Sequence, residues 1–297
     1  MATVTAAMIK ALREETGAGM LDCKKALVEC EGDQAKAVDW LRKKGIANAA
    51  KKEGRIAAEG LSRILVDGNK AVIIEVNSET DFVSKNDKFL ALLDTTLNTL
   101  VKSDAKTVEE ALALTTEDGT LNDTFVNAVA IIGEKITLRR FAIVEKTDDE
   151  EFGAYMHQGG RISALTVVKG SHDAQLAKNM SMQVASMNPT YVSRNEMPQE
   201  VIAHERQILM DQLASDEKLA NKPEKVKAGI VEGRLSKELQ DMCLVDQIFF
   251  LDQDKKVGQY LKENNAEVVS FVKYTVGEGI EKKQDDFAAE VAAMAQK

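Results

Sequence analysis

The sequence predicts an α+β fold. It should comprise an N-terminal three-helix module, a core of two duplicated α+β subdomains with small antiparallel sheets, an inserted antiparallel helical hairpin and a C-terminal helix. Three observations carry that expectation. Apolar residues recur at helical spacing over the first fifty-odd positions and then change to strand-like runs from residue 56. The order of strand, polar connection and helix in AVIIEVNSETDFVSKNDKFLALLDTTLNTL returns in RISALTVVKGSHDAQLAKNMSMQVASMNP. Pro189, Pro198 and Pro223, the only prolines, cluster where the second copy is interrupted. The units so defined are 1–55, 56–145, 146–279 with an insert over about 192–239, and 280–297.

In the first unit, TAAMIKALREE places Met8, Ile9 and Leu12 on one helical face and stops at TGAG, whose glycines permit a tight turn. A second helix starts near Met20 and ends at Gly32. Asp33 then caps a third, in which Val38 and Leu41 point inward with Trp40 beside them. Between Trp40 and Arg55 the chain carries Arg42, Lys43, Lys44, Lys51, Lys52 and Arg55 against the single acid Glu53. Such a strip is either a solvated helix end and linker or a docking strip for an acidic partner.

In the first core copy, LSRILV and AVIIEV flank Asp67-Gly68-Asn69-Lys70, a β-hairpin signal. A helix over 87–101 follows, and ITLRRFAIVE supplies another strand. VVSFVKYTVGE echoes that strand in the second copy. Each sheet should be covered by helices on one side. The insert reads as two charged helices separated by Pro223, with so thin an apolar stripe that it should pack on another copy, a partner or its own core. EGIEKKQDDFAAEVAAMAQK closes the chain as a short amphipathic helix.

Composition narrows the function. With 297 residues, 44% of them hydrophobic, the chain can bury a sizeable core. Its 39 basic and 48 acidic residues, a formal charge of -9, argue against general nucleic-acid binding, which needs a net basic face. No apolar run approaches the roughly 20 residues of a membrane span, and the expectation is a cytoplasmic protein with no membrane contact. Cys23, Cys30 and Cys243 form no C-x-x-C pair, so buried free thiols are expected rather than disulfides or zinc ligands. Phosphate loops, dinucleotide fingerprints, nucleophile elbows and zincin motifs are absent, and His157, His172 and His204 lie far apart. These features favour a binding protein over an enzyme, with no cofactor or metal of its own.

One stretch resists that bland account. NSETDFVSKNDKF, residues 77–89, is a polar connection between strand and helix, yet it carries Phe82 in its middle. Either the ring folds back onto its own subdomain, with Asp81 capping the next turn, or it is held out for a partner.

Four blocks, LREETGAGMLDCKKAL, VNSETDFVSKNDKF, AYMHQGGRISAL and GEGIEK, resemble the elongation factor Ts family in order and spacing, and the resemblance spans essentially the whole chain. Leu21 and Ser78 stand where relatives often carry Met and Cys, so thiol chemistry is unnecessary at the loop. The resemblance implies a ubiquitin-associated-like N-terminal module and a guanine-nucleotide exchange factor for elongation factor Tu. On matching motifs, it implies that Arg13, Met20 and Leu21 contact the GTPase domain. Asp81 and Phe82, within Thr80-Asp81-Phe82-Val83, would enter beside its magnesium and phosphate region. Ile132, Gly133 and His157 would help hold the same partner, with the neighbouring Ile131 leaving the register open by one residue. The resemblance also implies self-association through the helical hairpin. The rival reading is a ubiquitin-associated-like adaptor or chaperone-type binding protein without exchange activity, which leaves the Thr80–Val83 stretch without a role.

Overall fold

Two of the three N-terminal helices begin at side-chain caps: Thr5 accepts from the Met8 N–H ahead of α1 (Ala6–Thr16), and Asp33 from the Lys36 N–H ahead of α3 (Gln34–Lys52). Helix α2 (Met20–Glu29) lies between them. The computed structural model describes residues 4–281 apart from 118, 217, 218, 220 and 221, so the expected C-terminal helix lies outside the described residues. Leu12, Cys23, Ala26, Leu27 and Ala37 form the buried centre of the module, with Met8, Ile9, Val38, Trp40 and Leu41 packed around it. Cys23 and Cys243 are buried as expected, whereas Cys30 is half-buried because it caps the end of α2 at the module's edge.

Leu12 and Leu27 are the only large side chains in that centre, and at about 1.5–3 kcal/mol each they cannot hold the module together with much to spare. The module instead leans on the core. Helix α3 packs against α6 (Leu121–Ile132) so closely that a Cβ on Gly45 would stand 3.3 Å from the Ala130 Cβ. The basic strip contributes to this joint through Arg42, and also braces the module itself and the connection after the second strand. Arg42 pairs with Asp123 at 3.1 Å, Lys44 with Asp22 at 2.5 Å, and Arg55 with Glu79 at 3.2 Å, so these three cations are engaged within the chain.

The duplication is complete at the level of topology. In the first copy β1 (Glu59–Asp67), β2 (Lys70–Ser78) and β5 (Ile136–Glu145) form an antiparallel sheet with β2 central. In the second, β6 (Glu150–His157), β7 (Ile162–Lys169) and β10 (Glu267–Thr275) do the same around β7. A helix follows each central strand, α4 (Asp87–Leu100) and α7 (Ala174–Met187). Each third strand is preceded by a two-stranded ribbon and a helix: β3 (Thr115–Thr116), β4 (Gly119–Thr120) and α6 in one copy, and β8 (Ile248–Phe249), β9 (Asp252–Lys256) and α10 (Val257–Glu263) in the other.

Helices cover only one face of each sheet. The other faces meet: Ala71, Ile73, Phe152, Leu165, Val167 and Tyr274 form one buried cluster between the sheets. The order is therefore helix, sheet, sheet, helix, and the central strands, buried on both faces, read as near-continuous apolar runs.

Between α7 and β8 the second copy carries α8 (Gln199–Ser215) and α9 (Glu224–Met242), each opened by a proline. Arg206 bonds Glu232 and Arg194 bonds the Ser236 carbonyl, the pairing of an antiparallel hairpin. Its thin stripe closes on itself: Met197, Leu209, Leu213, Val231, Leu235, Leu239 and Cys243 make a separate core. A buried amide pair roots it, with Gln183 Nε2 donating to Gln247 Oε1 at 3.1 Å and Gln247 Nε2 to the Asp241 carbonyl at 2.7 Å.

Candidate partner-binding site

The connection after β2 is not wholly exposed. Asn77 and Ser78 end the strand as buried residues, and residues 81–85 then make one turn of 3-10 helix. Two neighbours on that turn face opposite ways. Val83 is buried in the subdomain core at 4% exposure, while Phe82 is 83% exposed, the most exposed large apolar side chain among the described residues. Leaving a phenylalanine in water forgoes about 1.5–3 kcal/mol of burial.

The turn is held from both sides. Asn86 N–H donates to the Val83 carbonyl at 2.9 Å, Ser84 Oγ to the Asp81 carbonyl at 2.5 Å, and Ser78 Oγ to the Thr80 carbonyl at 2.9 Å. Glu134, just beyond the end of α6, accepts from the Thr80 N–H at 2.9 Å and from Thr80 Oγ1 at 2.6 Å. Glu79 accepts from the Lys135 N–H at 2.6 Å and from Arg55 Nη1 at 3.2 Å. Two carboxylates thus cross, each binding the backbone of the other's segment. Gly133 makes the approach feasible by ending α6 with a φ of +88°.

These bonds bring Thr80, Asp81, Phe82 and Val83 beside Ile132 and Gly133. Ile132 packs against the core of its own subdomain. Ile131 turns toward the N-terminal module, where a Cβ on Gly17 would lie 3.1 Å from its Cδ1. That contact seats the Gly17 turn on α6, and Arg13, Met20 and Leu21 flank this turn in sequence. Arg13 is exposed, its carbonyl accepting from the Gly17 N–H at 2.8 Å. Met20 and Leu21 are 57% and 75% exposed.

His157 stands apart, at the end of β6 in the other subdomain, half-buried with Nδ1 2.9 Å from the Tyr155 hydroxyl. Its turn is nevertheless tied to β1. Ser62 N–H donates to the Gly160 carbonyl at 2.7 Å, and Arg161 pairs with Glu59.

Of the residues that orient the loop, Arg55 belongs to the basic strip noted in the sequence, whereas Glu79, Glu134 and Lys135 carry no role there. Their partners are 24 to 56 positions away in sequence. The family model described as Elongation factor TS matches residues 79–278, about two thirds of the chain, beginning at Glu79 of this loop. The chain belongs to that family. It is accordingly a translation elongation factor of the Ts type, a nucleotide-exchange factor of protein biosynthesis rather than an enzyme in the usual sense. The matched segment of this Ts-family chain contains the Phe82 loop, the end of α6, the His157 turn and, at its last two residues, Gly277 and Glu278 of the turn after β10. Among its described residues no helix is long and apolar enough to cross a membrane, and no cluster of His, Cys, Asp and Glu fits a metal ion.

Proposed function

We propose that the chain binds elongation factor Tu in its GDP form and promotes exchange of GDP for GTP by inserting the Asp81-Phe82 loop near the magnesium and phosphate site. The observation that carries this is Phe82: an aromatic ring 83% exposed on a turn whose backbone is fixed by Glu134 and anchored by the buried Val83. A ring held out on a rigid support loses little conformational freedom on binding, so most of its burial energy is available to the complex.

A GTPase holds GDP through backbone donors and a Mg²⁺ ion that demands near-octahedral geometry, so a small displacement of the supporting loops removes much affinity. Burying Phe82 stabilises the partner's conformation in which that geometry is broken. Asp81 orients the tip. Arg13, Met20 and Leu21 supply a second contact on the GTPase domain, with Ile132, Gly133 and His157 completing the surface. Coupling is reciprocal, so arriving GTP expels the factor and the cycle repeats without a covalent step. The cytoplasm is where this partner would be met. Self-association through the α8–α9 hairpin belongs to the same reading, Met210 and Val226 being its exposed apolar side chains.

The test is release of a fluorescent GDP analogue from purified elongation factor Tu, with and without the chain. Acceleration that depends on Phe82 is expected. An unchanged release rate at saturating chain would refute the reading.

A further inference from the structure

A buried carboxylate joins the two subdomains beside the site. Glu75 of β2 has no exposed side-chain surface. It accepts from Arg139 Nη1 at 2.9 Å, Arg140 Nε at 2.6 Å, Asn77 Nδ2 at 3.1 Å and the Gly277 N–H at 2.8 Å. The first three donors belong to its own subdomain. The fourth comes from the turn after β10, in the other one.

That turn is the start of the GEGIEK block, and the exchange mechanism above leaves it unused. Arg140 grips it by donating to the Thr275 carbonyl at 3.2 Å, facing the Glu278 carboxylate at 3.4 Å and lying 4.4 Å over the Tyr274 ring. Arg139 donates to the Glu278 carbonyl. Gly277 has a φ of +74°, and a Cβ there would stand 2.1 Å from the Ala58 carbonyl oxygen, so only glycine lets the turn seat. Burial alone would push the Glu75 carboxyl up, but the Gly277 N–H and the two guanidiniums outweigh it and hold the group below the usual carboxylate range.

A buried charge is stable only while its donors stay in place, so lifting the turn away leaves Glu75 short of a donor and both arginines short of acceptors. The cluster therefore favours one seating of the subdomains over a continuum of them. It also sits between the two contact sites. Asn77, bonded to Glu75, leads through Ser78 into the Phe82 loop. On the other side Val276 N–H donates to the Arg161 carbonyl at 2.9 Å, and Arg161 closes the turn that begins at His157.

We propose that Glu75 and Gly277 are positioning residues, forming a latch that holds the Phe82 loop and the His157 turn in the one relative orientation in which both engage the GTPase together. The inference rests on the exchange reading above. With the latch closed, the second contact forms at high effective concentration. With it loosened, that advantage is lost without any contact residue being changed.

A double-mutant cycle on the full chain tests this. Glu75→Gln and Gly277→Ala are each combined with His157→Ala, and affinity for nucleotide-free elongation factor Tu is measured beside GDP release at saturating chain. Each latch variant should weaken the complex roughly tenfold or more. Maximal release should stay within about twofold, and adding His157→Ala to a latch variant should cost little further, since that contact is already lost. A purely structural role would lower the melting temperature and leave the effects of His157→Ala and the latch variants additive, and additivity overturns the proposal. Should Glu75→Gln not fold, Gly277→Ala, at the other end of the latch, carries the test. If neither folds, the cluster is a requirement of the fold and the positioning role is wrong. A wild-type chain that exchanges normally beside additive variants removes the latch alone, whereas one that neither binds nor exchanges removes both readings.

Discussion

The two subdomains solve the same topological step differently. From β2 to α4 the first uses residues 79–86, enough for a 3-10 turn and an outward phenylalanine. From β7 to α7 the second uses only 170–173, ending on Asp173, which caps the helix. The extravagance is reversed one element later. Where the first copy crosses to its ribbon by the short helix α5 (Val108–Leu112), the second inserts the whole α8–α9 hairpin. The sheets and their covering helices are constrained by burial on both faces and have stayed alike. The connections are less constrained by the shared core, and that is where the copies differ in length and content.

If that division holds, core substitutions should cost stability alike in both halves and leave function per folded molecule intact. Phe89→Ala in α4 should destabilise by about 3–5 kcal/mol, and Met180→Ala in α7 by about 2–5 kcal/mol, since both side chains are fully buried. Chemical denaturation measures the loss. A small effect at either site would mean that the half concerned is loosely packed.

The interface between the sheets gives the next effect. Burial pushes the Tyr274 hydroxyl up to about 12, against the partial opposition of Arg140. A phenol whose folded pKa lies above its unfolded value of about 10 contributes stability that is complete below pH 10 and lost as pH rises toward 12. The decline should amount to about 2–3 kcal/mol over that window, and Tyr274→Phe should remove it. An alkaline limb that survives Tyr274→Phe would assign it elsewhere.

Much of this plan is legible in the sequence because it depends on short-range patterns. Asp67-Gly68-Asn69-Lys70 announces the β1–β2 turn, the prolines mark the insert, and Phe82 is conspicuous for lying in a polar connection. What stays hidden depends on distant partners. AVIIEV carries the mark of a strand buried on both faces, but nothing local says that the second cover is another sheet. Glu75 looks like a solvated residue of that strand until Gly277 arrives from 202 positions away. The crossed carboxylates Glu79 and Glu134 are invisible for the same reason. The basic strip was ambiguous because charge alone does not distinguish a partner's acids from Asp22, Glu79 and Asp123 of the same chain.

Smaller effects sharpen the comparison at the connections. Glu134→Gln keeps an acceptor but weakens two half-buried bonds to Thr80, so it should cost about 1 kcal/mol of stability while slowing GDP release several-fold, because the loop loses its fixed aim. Unaltered exchange would show that Val83 alone anchors the turn. Excising residues 199–242 with a short linker should change exchange least, because the hairpin core is separate from the core beneath the loop, while reducing self-association. Sedimentation identical to that of the intact chain would count against an associative role.

The central claim is that Phe82 belongs to the partner's interior rather than to its own subdomain. Thermal melts and GDP-release rates on one preparation of Phe82→Ala test it most directly. The mutant should fold with stability within about 0.5 kcal/mol of wild type, because so exposed a ring has little native packing to lose. It should exchange at least several-fold more slowly, with Asp81→Ala showing a smaller defect. A clearly destabilised Phe82→Ala with normal exchange per folded molecule would contradict the account.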